Sequence, residues 1–145
     1  MLALCAALRV DPTPCSLWGL DAAAIAAMLN DSRRCVLVAM VAEHCVGLGI
    51  LTRGEKYQRH LGELTVAVAP DCRRRGIARA LIVELQQQAL KDGLARLKGL
   101  VDTRNTASQA LFSSCGFTHR ATLYGEFRSE QFGEIDDCVF YQVLD

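Results

Sequence analysis

In Val66-Ala67-Val68-Ala69-Pro70-Asp71-Cys72-Arg73-Arg74-Arg75-Gly76-Ile77-Ala78-Arg79-Ala80-Leu81, an apolar run ends at a proline, arginines crowd around one glycine, and a helical period begins. The valines favour a strand, and Pro70 stops it by removing a ladder donor. Beyond the glycine, Ile77, Leu81, Leu85 and Ala89 recur four apart, Ile82 widens the stripe, and Glu84, Gln86, Gln87 and Gln88 take polar positions. That period predicts a helix over Ile77 to Leu90, closed by Gly93. A strand that turns abruptly into a helix presents unpaired N–H groups at the positive end of the helix dipole, which makes an anion site before any side chain contributes. Gly76 has no Cβ and admits an oxygen-rich ligand close to the backbone, and Ala78 is the next smallest choice beside it. Arg73, Arg74, Arg75 and Arg79 add cations suited to a pyrophosphate or a phosphorylated ribose. A solvated basic turn is the competing reading. The chain has no G-x-x-x-x-G-K-[ST] loop and no G-x-G-x-x-G after a strand, which removes two commoner phosphate motifs.

Upstream of this turn, Leu61 to Ala69 is one apolar run, and Cys35–Val41 and Cys45–Thr52 are two more, separated by Ala42-Glu43-His44 as an antiparallel hairpin would be. Residues 53–60 read as a polar loop. Leu20 to Leu29 predicts a short helix, and Asp11-Pro12-Thr13-Pro14 predicts a loop because proline breaks helices. Met1 to Leu8 lacks a preceding positive charge and is too short to span a bilayer, so it is assigned to the fold rather than to a signal peptide. Downstream, Leu97 to Val101 predicts a strand, Thr106 to Ser114 a helix, and Thr118–Phe127 and Cys138–Leu144 two further strands. This order describes one α+β (mixed α/β) domain over residues 1–145 with a single central sheet.

Sixteen basic residues offset sixteen acidic ones among 145 residues, so no global field draws the protein to nucleic acid or to an anionic membrane. The 51% hydrophobic content is enough for one substantial core. Seven dispersed cysteines without a C-x-x-C pair predict reduced thiols and a cytoplasmic location, and neither they nor the three histidines show zinc-type spacing, so no metal is expected.

The quoted run resembles the acetyl-CoA signature of the GNAT superfamily of N-acetyltransferases, a valine-x-proline strand end followed by [RQ]-x-x-G-x-[GA] and a helix. A second block, Asn105, Leu111-Phe112 and Gly116-Phe117, resembles that superfamily's N-x-x-A-x-x-L-Y-x-x-x-G-F element at the same spacing. The resemblance implies a mostly antiparallel sheet, splayed at the cofactor and flanked by helices, that uses acetyl-CoA as cosubstrate and acts on a primary amine of a small molecule, peptide or protein. It further implies that the backbone of Val66 and Val68 pairs with the pantetheine arm as an extra strand would. Amides from Arg74 through Gly76, Ile77 and Ala78 to Arg79 would hold the pyrophosphate. Asn105 would bond the cofactor, although a helix N-cap before Thr106 explains an asparagine there equally well. Phe112 would border the cofactor.

Acetyl transfer needs the amine nitrogen neutral, so a base or a water chain must take its proton. Glu63 is the candidate base, with an exposed strand-edge carboxylate as its alternative. Counted back from Pro70, many relatives carry a catalytic glutamate at the position of Gly62, and one residue reverses the face of a regular strand unless a bulge intervenes. Relatives also place a tyrosine at Phe112 to protonate the departing thiolate, and phenylalanine cannot donate a proton. Tyr124, Ser113 or water are the substitutes. Cys72 and Cys115 could attack a thioester, but neither has an adjacent histidine. The alternative function is an acetyl-CoA-binding regulator with weak or no transfer activity. Relatives begin with a strand, so Met1 to Val10 is read either as that strand or as a helix with the strand missing, and a missing strand would expose a sheet edge open to homodimer pairing.

Overall fold

The computed structural model describes residues 1–9, 17 and 20–145. The predicted loop Asp11-Pro12-Thr13-Pro14 lies outside the described residues. Between the two readings of the amino-terminal segment, Leu2–Arg9 is a helix, α1. Ala22–Asn30 forms α2, opened by Asp21, whose side chain accepts from the Ala24 amide at 2.8 Å. The sheet contains β1 (Arg34–Val41), β2 (His44–Arg53), β3 (Leu61–Val68), β4 (Arg96–Asp102), β5 (Thr118–Ser129) and β6 (Gly133–Val143). Helix α3 (Ile77–Lys91) links β3 to β4, and α4 (Thr106–Ser114) links β4 to β5. The β1–β2 turn is tighter than the sequence suggests. Only Ala42 and Glu43 make it, both at positive φ (45° and 69°), as a two-residue turn matched to strand twist requires. The predicted loop 53–60 gives its first residue to β2 and contains a short 3-10 turn, Lys56–Gln58.

The strand order is β1-β2-β3-β4-β6-β5, with β3 and β4 parallel and every other neighbour antiparallel. The parallel pair is short. It runs from Leu61 beside Arg96 to Leu64 beside Gly99 and stops, although β3 continues to Val68 and β4 to Asp102. The sheet is therefore open between these strand ends, as the splayed sheet expected from the sequence requires.

One face of the sheet carries α3 and α4. The helix comes so close to β2 that a Cβ at Gly47 would lie 3.1 Å from Ile77 and one at Gly49 would lie 3.0 Å from Leu85. Leu51, Leu64, Ile82, Leu85, Leu97, Phe112 and Phe140 form the core there, each fully buried side chain contributing about 1.5–3 kcal/mol. On the other face Leu4, Leu8 and Met28 of α1 and α2 pack on Leu48, Ile50 and Ala67. This three-layer arrangement leaves β1 as a sheet edge, with Val38, Met40 and Val41 exposed on it.

Candidate active site

The backbone of β3 decides what the gap can hold. The Ala69 amide donates to the Val46 carbonyl at 2.8 Å, and alternate residues of an antiparallel ladder bond to the partner strand. Thr65 and Ala67 therefore direct their backbone groups to β2, while Val66 and Val68 direct theirs to the side where the β4 ladder has ended. The Val68 carbonyl accepts from Arg73 Nε at 3.1 Å. A cavity of about 810 Å³ occupies the gap and continues to the α3 turn, reaching Cys72, Arg73, Arg74, Gly76, Ile77 and Ala78.

The turn is built on two left-handed residues, Arg74 at φ 63° and Gly76 at φ 79°. For arginine this conformation costs about 1–2 kcal/mol, a strain held by the surrounding fold. Gly76 is the N-cap of α3 and supplies no side-chain cap, so the first-turn amides look into the cavity mouth. A Cβ on Gly76 would meet nothing within 4 Å. The open space beside the glycine and the uncapped amides fit a diphosphate. The arginines divide their work. Arg74 and Arg75 are exposed, and Arg75 does not line the cavity. Arg73 staples the turn to the strand end, and Arg79 Nη1 ties α3 to α4 through the Ser114 carbonyl (3.4 Å) and hydroxyl (3.1 Å).

On the opposite wall, Asn105 caps α4 by accepting from the Ser108 amide at 3.1 Å, and it also lines the cavity. The cap is thus observed, and the same residue borders the cavity. Phe112 lines the cavity but is chiefly a core ring, 5% exposed, edge-on to Phe117 at 4.9 Å and 5.8 Å from Phe140. Gly99 makes room for it, since a Cβ there would lie 2.3 Å from the ring.

Glu63 lines the cavity on the face away from α3, paired to Lys98 at 2.9 Å. No bulge brings it there. The β2–β3 register is continuous from Gly47–Val68 to Arg53–Gly62, and Gly62 faces the core. Tyr124 is 82% exposed on β5 and lines no part of the cavity, nor do Ser113 and Cys115. Cys72 does line it, as a buried residue.

Two buried carboxylates near Glu63 were not singled out by the sequence. Asp102, the last residue of β4, and Asp137, within β6, are cross-strand partners, 8% and 5% exposed, and both line the cavity. Burial pushes the Asp102 carboxyl up, but Arg104 grips it through Nε at 3.0 Å and Nη2 at 2.7 Å and holds it below the usual carboxylate range. Among the described residues no cation pairs with Asp137 in this way. Burial first, then the charges of Asp102, Glu126, Asp136 and Glu63, push it up to about 6. Phe127, Phe132 and Ile135 of the β5–β6 hairpin supply the apolar wall on that side. The only sequence signal for Asp137 was an acidic residue directly before the buried run 138–140.

Among the described residues no group of three His, Cys, Asp or Glu side chains could hold a metal ion, and no helix is long and apolar enough to cross a membrane.

The family model of the GNAT acetyltransferases matches residues 4–117, well over half the chain. No protein of curated function matches in sequence. Among solved structures, a ribosomal-protein-alanine N-acetyltransferase from Brucella melitensis is 29% identical, with 99% of this chain and 91% of that one covered and a TM-score of 0.85. An acetyltransferase structure from Salmonella typhimurium, solved with its cofactor acetyl-CoA, is 22% identical over 99% of this chain and 88% of that one, with a TM-score of 0.83. An N-acetyltransferase from Staphylococcus aureus Mu50 superposes with a TM-score of 0.85 at 20% identity, covering 99% and 90% of the two chains. With the sheet opened beside an uncapped helix N-terminus and the family pattern running through both walls of the gap, this chain belongs to the GNAT family of acetyltransferases, enzymes that draw their acetyl group from acetyl-CoA.

Proposed function

We propose that the protein is an N-acetyltransferase that acetylates a primary amine by direct attack, and that its first acceptor to test is the α-amine of a peptide beginning with alanine. The observation that carries this reading is the unpaired edge of β3 at Val66 and Val68, which runs straight into the uncapped turn of α3. In this reading the Val66 amide and carbonyl and the Val68 amide take the place of a strand partner for the pantetheine arm. Amides from Arg74 to Arg79 and the exposed Arg74 and Arg75 guanidinium groups hold the diphosphate, Asn105 bonds the cofactor from the opposite wall, and Phe112 excludes water behind it. The Brucella melitensis relative, named for alanine acetylation and 29% identical, supports the peptide acceptor.

Acetyl-CoA supplies the activated carbonyl, and the protein has to position it and manage protons. Glu63, paired with Lys98 at the cavity, serves as a proton acceptor through water. Phe112 has no hydroxyl and Tyr124 projects into solvent, so the departing sulfur is protonated by water. The test combines calorimetry with acetyl-CoA and thiol release with an alanine-initial hexapeptide and with spermidine. Tight binding with thiol release supports transfer, whereas binding without release on any amine would favour the cofactor-binding regulator. Glu63→Gln is expected to lower kcat about 10–100-fold with the acetyl-CoA Kd within two-fold of wild type, and unchanged turnover would remove Glu63 from the mechanism.

The six described cysteines are all free thiols, which supports a reducing, cytoplasmic setting. The β1 edge, with Val38 44% and Met40 54% exposed, supports homodimer formation through edge pairing. Val38→Lys is then expected to shift sedimentation from dimer to monomer without changing the far-ultraviolet spectrum, and a monomeric wild type would sink this assignment.

A further inference from the structure

Building on the transferase reading, we infer that Asp137 receives the acceptor: its carboxylate holds the incoming ammonium in the cavity and takes the proton that frees the nitrogen to attack.

The carboxylates around the cavity are not equivalent. Glu63 on β3 is paired with Lys98 of β4, Asp102 on β4 with Arg104, and Asp136 on β6 accepts from the Gly125 amide at 2.6 Å. Glu126 on β5 is exposed. Asp137 is 95% buried by residue area, lines the cavity, and the charges that raise it are four other carboxylates. An ammonium group is the natural counter-charge for such a position. It relieves four like-charge repulsions and compensates a carboxylate that has been stripped of water.

The register places Asp137 on the correct face. Along β6, Asp137, Val139 and Tyr141 stand opposite Asp102, Leu100 and Lys98 of β4, and Lys98 stands beside Glu63 of β3. This is the face away from α3 and α4, so an acceptor entering here meets the gap from the side opposite the α3 turn. The apolar hairpin residues Phe127, Phe132 and Ile135 line the same cavity. A base that titrates near 6 is mostly unprotonated at neutral pH, yet binds a proton well enough to compete for one. The balance of the step is simple. The ammonium gives one proton to Asp137 Oδ, the N–C bond forms as the C–S bond breaks, and sulfur leaves with its electron pair. The second nitrogen proton passes through water to Glu63 and by water on to the departing thiolate, and Asp137 then gives its proton to solvent, so the turnover releases one proton, the amide and the free thiol.

The test uses wild type, Asp137→Asn and Asp137→Glu with acetyl-CoA and the alanine-initial hexapeptide between pH 5 and 9. Wild type is expected to lose kcat/KM as pH falls through about 6. Asp137→Asn is expected to lower kcat about 100-fold and to lose that acidic limb, with the acetyl-CoA Kd unchanged, while Asp137→Glu restores part of the rate and moves the limb. Two readouts need no turnover. A carbon-13 carboxyl signal titrating near 6 in the free protein should vanish in Asp137→Asn. Because the raised value disfavours the charged form in the fold, the stability difference between wild type and Asp137→Asn should shrink as pH falls through about 6 towards 3.8, and Asp137→Asn should melt higher than wild type at pH 8. An Asn variant with wild-type kcat and an intact acidic limb would overturn the assignment and leave the transferase reading standing. A wild type that binds acetyl-CoA but acetylates no amine would overturn both.

Discussion

Gly62→Glu is expected to abolish folding. A Cβ at this position would lie 2.6 Å from Leu51 Cδ1, 2.8 Å from Leu94 Cδ1 and 3.0 Å from Leu97 Cδ2. Those leucines are 0%, 6% and 0% exposed, so none can swing aside into solvent. Overpacking alone costs about 1–3 kcal/mol. The carboxylate adds several kcal/mol more, because it would be buried against leucines with no cation to pair it. Together these costs approach the roughly 5–15 kcal/mol that holds a domain of this size. The variant should lack the cooperative thermal transition of wild type, while Gly62→Ala should remain folded and melt lower by about 3–10 °C. A folded Gly62→Glu protein would mean that this face of β3 is not core. The result bears on mechanism as well as stability, because many relatives carry a glutamate at this count from the proline, whereas here the neighbouring position, Glu63, reaches the cavity.

Gly76→Val is expected to weaken acetyl-CoA binding about 100-fold while lowering the melting temperature only slightly. The separation follows from the geometry. Nothing lies within 4 Å of where the Cβ would sit, so packing does not suffer. The backbone does suffer, since φ of 79° is a left-handed conformation that a β-branched residue avoids. Relief comes from rotating the peptide out of that region, which swings the first α3 amides away from the common point they face. About 2–3 kcal/mol of lost alignment corresponds to the expected change in Kd. Calorimetry checks the affinity and differential scanning checks the fold. Equal affinity in the two proteins would show that these amides do not hold the diphosphate, and a large drop in melting temperature would show that the turn is structural first.

Asp102 and Asp137 sharpen the contrast between a carboxylate that stabilises and one that is held ready. Arg104 keeps Asp102 charged, and Nη1 of the same arginine donates to the Phe132 carbonyl at 3.1 Å, fastening the β5–β6 hairpin over the cavity. Its guanidinium also lies 5.6 Å from the Phe132 ring centroid. The strain of charged Asp137 is relieved first, as pH falls through about 6 towards 3.8, whereas the contribution of Asp102 persists down to the usual carboxylate range and is lost only in stronger acid. The cross-strand pair thus joins a carboxylate that an arginine holds charged to one that burial and its like-charged neighbours hold poised.

Much of the molecule could be read before any coordinates. Strand β3, the Pro70 stop, Gly76 and the period of α3 are local facts, because backbone propensity and amphipathic spacing act over a few residues. The second block, from Asn105 to Phe117, added the family resemblance that the family model then bore out. Other features depend on which strands become neighbours. That β3 and β4 part after Leu64 is visible only once the two strands are seen side by side. Arg73 and Arg79 look identical in sequence to Arg74 and Arg75 and become staples only when Val68 and Ser114 arrive beside them.

The sequence by itself determined the strand, turn and helix that bear Gly76, the order of the remaining elements, and the family, because each rests on short-range patterning. Only the tertiary structure decided that Leu2–Arg9 is a helix and β1 an edge, that Gly62 is core while Glu63 faces the cavity, and that Asp137 rather than Asp136 is buried there. Adjacent residues on a strand differ by nothing but parity, and parity acquires a meaning only when a partner strand sets the register and a helix covers one face.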